Sequence, residues 1–519
     1  MTAKTKHPID LNPQFKAAYE AMESDAPFVF VTGRAGTGKS TLLRYFRERT
    51  RKACAYLAPT GVAALNIDGQ TVHSFFLFAP GITVEKAKKK GSNADDDLYR
   101  EIETIVVDEV SMVRADLMDC MDAFLKRARR SRKPFGGLQL ITIGDLYQLP
   151  PVVTRDEHEA FGSRYVSPYF FSSDVVECLA EEGKIEFIEL EKVYRQRDEN
   201  FIHLLNGVRN ASIDEDDLAR LNSRVHAHQT HWQGAFIHLT PTNAAADAIN
   251  VSKLATLKHK ERIYHGSVNG TFGERDLPTD ARLVLKSGAR VMFVKNDPSG
   301  RWVNGSMGSV CEMKTGKVDV CIDGDEGRVT VEPVTWMMYR SVYDPASRLL
   351  EQEKVGSFTQ IPLRLAWATT IHKSQGKTFD RVLVDLGRGA FASGQVYVAL
   401  SRATSFEGLI LTKPVTRGQL RLDYRIMRFM TGVQYRRASE TLSSDEKLRM
   451  LREAIRSGRR LEMTYLKAKD EKSCRQITPL RLYESEFKGH PFLALDAHCH
   501  LRDGERVFNV ERILSLKMV

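Results

Sequence analysis

FVFVTGRAGTGKSTLLRYFRER, residues 28–49, runs from an apolar β-branched stretch through a glycine-rich loop into a helical pattern. Gly33 to Ser40 has the spacing G-x-x-x-x-G-K-[ST]. Its glycines let backbone N–H groups curl around phosphates at a helix N-terminus. Lys39 is placed to reach the β- and γ-phosphates and the Ser40 hydroxyl to bind magnesium. A chance glycine-rich turn would not require strand, loop and helix in this order. The stretch therefore predicts a nucleoside triphosphate site and a parallel sheet carrying it.

Other short apolar runs share the pattern: ACAYLAPT (53–60), TIVVDE (104–109) and LQLITIGD (138–145). Helical text lies between them, which predicts an α/β fold with a parallel sheet covered on both faces. A second series, AFIHLTPT (235–242), RVLVDLG (381–387) and GLILTKP (408–414), predicts a second α/β domain. Alternating, Gly/Asp-rich text around 281–340 is expected to form hairpins of a small β-barrel inserted into it.

Ligands of such sheets bind outside the carboxyl ends of the strands, and here those ends are polar. VVDEVSM (106–112) sets Asp108 beside Glu109, one suited to a metal ion and the other to the attacking water. IGDLYQLPPV (143–152) places Gln148 where an amide can sense a γ-phosphate, followed by a stiff Leu-Pro-Pro segment. Arg195 in LEKVYRQ and Arg402 in YVALSRATS can complete the site from elsewhere in the chain. An arginine on a γ-phosphate is worth about 10³–10⁵ in rate. A solvated acidic turn and a structural turn are the plain alternatives for the first two.

The 519 residues allow three or four domains. Net charge is +10, and residues 417–475 contribute sixteen Lys/Arg against eight Asp/Glu. That balance suggests a polyanionic partner, with a solvated helical face as the alternative. Seven scattered cysteines without a Cys-x-x-Cys pair point to reduced thiols rather than a disulfide framework. HCH at 498–500 reads as a surface strand, with its histidines on one face. The N-terminus lacks a signal-peptide core, and no apolar run reaches the roughly 18–20 residues of a membrane span. A cytoplasmic location without membrane contact is expected.

These motifs, in this order, resemble the superfamily 1B DNA helicases of the Pif-one kind over most of residues 9–412. LNPQ (11–14) is similar to an adenine-reading Q motif and GRAGTGKS to motif I. APTGVAALNIDGQTVHSFF (58–76) resembles motif Ia, DEVSM motif II, GDLYQLPPV motif III and VYRQ motif IV. LAWATTIHKSQGKTFD (365–380) resembles motif V, and YVALSRA (397–403) motif VI. MDAFLKRARRSRKPFGG (121–137) is similar to the signature of this branch.

The resemblance implies two RecA-like P-loop domains, at 1–230 and 231–420, with a wedge near 75–100 in the first. A small β-barrel insertion near 303–360 is expected in the second, then a basic linker (421–444). It implies ATP-driven 5′→3′ translocation on single-stranded DNA and unwinding of forked or tailed duplex and G-quadruplex DNA. A monomer in solution is expected. Catalysis would fall to Lys39, Asp108, Glu109, Gln148, Arg195 and Arg402. ATP would be held by Leu11, Gln14, Gly36, Thr37, Gly38, Lys39, Ser40, Thr41 and Gly376, and Mg2+ by Ser40 and Asp108. Asn12-Pro13 stands before Gln14 where the family commonly has an acidic residue. DNA would meet Thr60, Gly61, His73, Ser74, Pro151, His372 and Lys373. The run KAKKK (86–90) followed by DDD (95–97) is either the wedge or a charged mobile loop.

Residues 445–519 resemble a WYL domain, a small β-barrel module, with Pro491-Phe492-Leu493 in place of the letters Trp-Tyr-Leu. Arg506 and Arg512, flanking Phe508, are its candidate nucleic-acid contacts, and a structural cap is the alternative. A regulator whose ATPase is a switch is the competing reading of the whole chain. The Lys39, Glu109, Gln148, Arg195 and Arg402 set speaks against it. No separate cluster of carboxylates supports a nuclease.

Overall fold

The computed structural model describes residues 10–519 except 80, 95–96, 155, 197, 226–235, 271, 274–276, 325–326, 345–348, 388–391, 468–470 and 488–489. By contacts the chain divides into one unit of residues 1–208 and 214–421 and a second of residues 209–213 and 422–519.

In the first unit, strands β1 (Phe28–Gly33), β2 (Cys54–Ala58), β3 (Gln70–Thr71), β4 (Thr104–Val107), β5 (Gln139–Gly144) and β6 (Ile185–Leu190) form one sheet. Their order is β3-β2-β4-β5-β1-β6, and every pairing is parallel. All six residues of β1 and of β5 are buried, which explains their unbroken apolar text. Helices α1 (Pro13–Glu23) and α2 (Lys39–Arg47) pack Phe15, Met22, Leu42 and Phe46 onto Val29, Val31, Ile141 and Ile143. Because β4, β5, β1 and β6 are neighbours, their carboxyl ends bring Asp108, Asp145, the Gly33–Ser40 loop and the 191–196 segment side by side.

A second parallel sheet joins Ala368–Thr370, Ile237–Thr240, Val382–Val384 and Leu409–Leu411, in that order. Between its first two strands in sequence lies a run of antiparallel strands from Arg262 to Leu365, which contains the segment 303–360. They form sheets of five, three and two strands, the largest around Val291, Phe293, Val310 and Val320. Here one expectation is overturned: Cys311 and Cys321 are disulfide-bonded, with Cα atoms 6.2 Å apart. They sit on paired strands, where an irregularity after Val310 shifts the register. Linear spacing cannot reveal such a cross-strand neighbour.

KAKKK lies in a helix, Val84–Ser92, whose N-cap Thr83 hydroxyl accepts from the Lys86 amide at 3.4 Å. Asp95 and Asp96 of the acidic run lie outside the described residues.

The second unit contains helices Tyr424–Thr441 and Ser444–Ser457 and a five-stranded antiparallel sheet built from Leu461 to Met518. Its core gathers Leu451, Leu461, Met463, Ile477, Leu495 and Phe508. Phe508 is only 3% exposed and packs edge-on to Tyr465 at 5.2 Å. It is therefore a core ring, not an exposed contact between Arg506 and Arg512. The rings of His498 and His500 share a face, 4.9 Å apart, while Cys499 is buried.

Candidate active site

The loop between β1 and α2 turns through Gly36 (φ +83°) and Gly38 (φ +90°), a region that side chains resist. Thr37 is buried, its hydroxyl donating to the Arg34 carbonyl at 3.0 Å. The Lys39 ammonium donates to the carbonyls of Gly33 (2.6 Å) and Arg34 (3.0 Å). Burial lowers its pKa, against the pull of Asp145 and Glu109. Thr41 is half-buried and Ser40 exposed. Ser40 lines a cleft of about 450 Å3 together with Asp108, Glu109, Thr60, His372, Lys373 and Gly376.

Glu109 has a left-handed backbone, φ +50° and ψ +43°. For a non-glycine residue that costs about 1–3 kcal/mol, and such strain clusters at functional sites. Burial raises the pKa of Asp108 and of Glu109. The Glu109 charge raises Asp108 further, whereas Lys39 and then Arg402 pull Glu109 down. The Ser40 hydroxyl and the Asp108 carboxylate are hard oxygen donors sharing one cleft. Among the described residues no cluster of three or more His, Cys, Asp or Glu could hold a metal. That donor set suits Mg2+, which binds through one or two carboxylates plus substrate phosphates.

Gln148 is 6% exposed, and its amide nitrogen donates to the Asp145 carboxylate at 3.2 Å. Asp145 itself is fully buried and also accepts from the Tyr147 amide. The motif's text alone gives this aspartate no role. Arg195 donates to the Ser401 carbonyl at 3.4 Å, and Gln196 to the carbonyls of Ser401 (3.2 Å) and Ala403 (3.0 Å). Arg402, 1% exposed, donates to the carbonyls of Val398, Ser374 and Lys377 and to the Ser401 hydroxyl. Burial lowers its pKa, then Arg195; Glu109 and Asp145 oppose them.

Two further contacts across the lobes have no signal in the sequence. The Ala35 amide of the phosphate loop donates to the Tyr397 hydroxyl at 2.9 Å. Gly394 (φ +73°) meets motif III so closely that a Cβ would lie 2.3 Å from the Gln148 carbonyl oxygen. No spacing rule links residues 35 and 397, although one stands in GRAGTGKS and the other in YVALSRA.

Gln14 exchanges hydrogen bonds with Glu191: its amide nitrogen donates to the carboxylate (2.8 Å) and its oxygen accepts from the Glu191 amide (3.2 Å). Asn12 caps α1 by accepting from the Phe15 amide and also donates to the Tyr194 hydroxyl. The departure at Asn12-Pro13 is thus a helix start, a preferred cap followed by proline. Leu11 is 38% exposed.

Thr60 caps the helix Gly61–Asn66. His73 is half-buried with its pKa lowered by burial, Ser74 is exposed and Pro151 is buried. His372 and Lys373 open a short 3-10 turn, with both pKa values lowered chiefly by burial. Beside them lies a pocket of about 320 Å3 lined by Lys295, Arg364, Lys373 and Lys377 among others, three of which were not expected there. Arg506 is exposed and Arg512 half-buried, both in the second unit.

Fold and site together define a two-lobed P-loop NTPase. Residues 11–218 match the family model of PIF1-like helicases, and residues 446–518 that of WYL domains. The chain is 34% identical to the ATP-dependent DNA helicase Pif1 of Bdellovibrio bacteriovorus, over 78% of this chain and 88% of that one. It is also 34% identical to human PIF1, over 80% of this chain but only 63% of the longer human protein. A crystal structure of Bacteroides Pif1 with ADP-AlF3 and single-stranded DNA matches with a TM-score of 0.59 and 32% identity, covering 84% of this chain and 98% of that one. The chain belongs to this family of ATP-dependent DNA helicases.

Proposed function

We propose that the protein is a 5′→3′ translocase on single-stranded DNA that unwinds forked or tailed duplexes, and G-quadruplexes as a further substrate. The observation that carries this reading is the direct joining of the two lobes at the phosphate loop, Ala35 to Tyr397 and Gln196 to Ser401 and Ala403. A nucleotide held there bears on both lobes at once, so its hydrolysis moves them relative to each other.

In this reading Lys39 neutralises the β- and γ-phosphates, while Ser40 and Asp108 hold Mg2+, which screens phosphate charge. Glu109 orients the attacking water. Gln148, held by Asp145, reports the γ-phosphate, and Arg195 and Arg402 stabilise charge developing on it. Leu11 and Gln14 bound the base, with Gln14 presented by Glu191. Gly36, Thr37, Gly38, Thr41 and Gly376 shape the phosphate side.

The strand would pass through the pocket of Lys295, Arg364, Lys373 and Lys377, with Thr60, Gly61, His73, Ser74 and His372 along its course. Buried Pro151 would act by stiffening motif III. Cationic contacts to a phosphate backbone make grip sequence-independent. Breaking each base-pair step costs about 1.4 kcal/mol of stacking, which ATP turnover supplies. The helix Val84–Ser92 would serve as the wedge, and the WYL unit, through Arg506 and Arg512, as an aid to strand binding. A monomer suffices for this scheme. No described helix is long and apolar enough to cross a membrane, and a cytoplasmic site of action is part of the proposal.

The test is strand separation with ATP on partial duplexes carrying a 5′ or a 3′ single-stranded tail, with Lys39→Ala as control. Unwinding of only the 5′-tailed duplex, lost in the control, is expected. DNA-stimulated hydrolysis without unwinding of either substrate would instead identify a switch.

A further inference from the structure

A second basic surface lies apart from the ATP cleft, on the first lobe. A cleft of about 950 Å3 is bounded by the helices Val84–Ser92, Ala115–Ala128 and Asp174–Glu181 and by the loop at 130–134. Lys88, Arg127, Arg130 and Arg132 line it and are exposed. Among the described residues none of these four has an ion-pair partner.

The carboxylates of the same cleft are already engaged. Asp119 accepts from the Tyr165 hydroxyl and the amides of Asp174 and Val175. Asp122 accepts from the Phe135 amide and pairs with Lys126 at 2.7 Å. Asp174 pairs with Arg164 at 3.1 Å. Six cations face three carboxylates in this cleft, so its net charge is positive, and the four cations that pair with no carboxylate among the described residues stand on three segments.

The frame under these cations is built rather than loose. A Cβ at Gly91 would lie 2.4 Å from the Phe124 carbonyl oxygen, so the two helices touch backbone to backbone. Arg129 donates to the carbonyls of Tyr99, Arg100, Ile102 and Gly136. That one guanidinium fastens the segment after the Lys-rich helix to the loop bearing Arg130 and Arg132. A braced backbone sets where these exposed cations start from, and planar guanidinium forks match phosphate oxygens.

We propose that this cleft is a second DNA-binding surface, taking the phosphate backbone of the part of a forked substrate that the translocated strand does not supply. The proposal rests on the helicase reading above. Two sources share the required chemistry, the displaced strand and the duplex arm ahead of it.

The experiment measures affinity against salt for wild type and for the variant Lys88→Gln/Arg127→Gln/Arg130→Gln/Arg132→Gln. The probes are a 5′-tailed single strand, a fork with both tails, and a 5′-tailed duplex lacking the displaced tail. Each lost phosphate contact lowers the log–log salt slope by about 0.9, so the fork slope should fall by about 3–4. The slope on single strand and the ATPase it stimulates should stay unchanged, which shows that the variant folds. A loss on both duplex probes assigns the duplex arm, and a loss on the two-tailed fork alone assigns the displaced strand. Replacing the three arginines by lysine, which keeps charge, should retain most of the slope. Unchanged slopes on every probe, or equal losses on fork and single strand, would overturn the proposal. If wild type shows no DNA-stimulated hydrolysis, the helicase reading fails first, before the cleft is judged.

Discussion

Gln148 is held by one hydrogen bond to a buried carboxylate, a placement that the proposed reporter role requires. Gln148→Ala should leave ATP affinity largely intact while lowering unwinding by roughly tenfold, about 1.4 kcal/mol. A variant unwinding at the wild-type rate would refute the sensor role. Lys377 has a pKa lowered to about 8 by burial first and by Arg364 and Lys373 next. Its carbonyl holds Arg402 at 3.2 Å, so this residue links the proposed strand path to the proposed ATP site. Only the charged ammonium attracts phosphate, so strand affinity should weaken as pH rises through about 8. Folding responds in the opposite sense: above that pH the unfolded chain binds the extra proton, so stability rises toward the ordinary lysine value. Titrating affinity from pH 7 to 9 checks the first effect, and Lys377→Arg should flatten it.

At the scale of elements, the link between motif III and the second lobe is steric. Gly394 starts the helix Gln395–Leu400 in a left-handed conformation, against the carbonyls of Tyr147 and Gln148. Gly394→Ala should destabilise the first unit by about 1–3 kcal/mol and depress hydrolysis with it. Denaturant unfolding and ATP turnover read these two effects. The stiff Leu149-Pro150-Pro151 segment suggested a lever from its text. Its abutment on residue 394 was invisible there, because a glycine's importance depends on what stands where its Cβ would be.

At the scale of the whole molecule, the WYL unit is a separate contact unit with its own core. Deleting residues 441–519 should weaken single-strand affinity while preserving ATP turnover. Unchanged affinity with full activity would reduce the tail to a structural cap. Its basic composition suggested nucleic acid, but alternation in the text did not show that Phe508 faces inward, since packing against Tyr465 and Arg475 decides that.

The order of strands and motifs, the phosphate loop, the paired acids and the family were legible in the sequence. Local geometry and the period of buried strands impose them on consecutive residues. What only the tertiary structure decided is which distant groups meet: Ala35 with Tyr397, Gln14 with Glu191, Gly394 with Gln148, Cys311 with Cys321, and four cations around one cleft. The pairs among them are separated by 10 to 362 positions in the chain. Their meeting follows from the stacking of sheets and lobes, where burial of apolar faces sets the distances and no local pattern records the result.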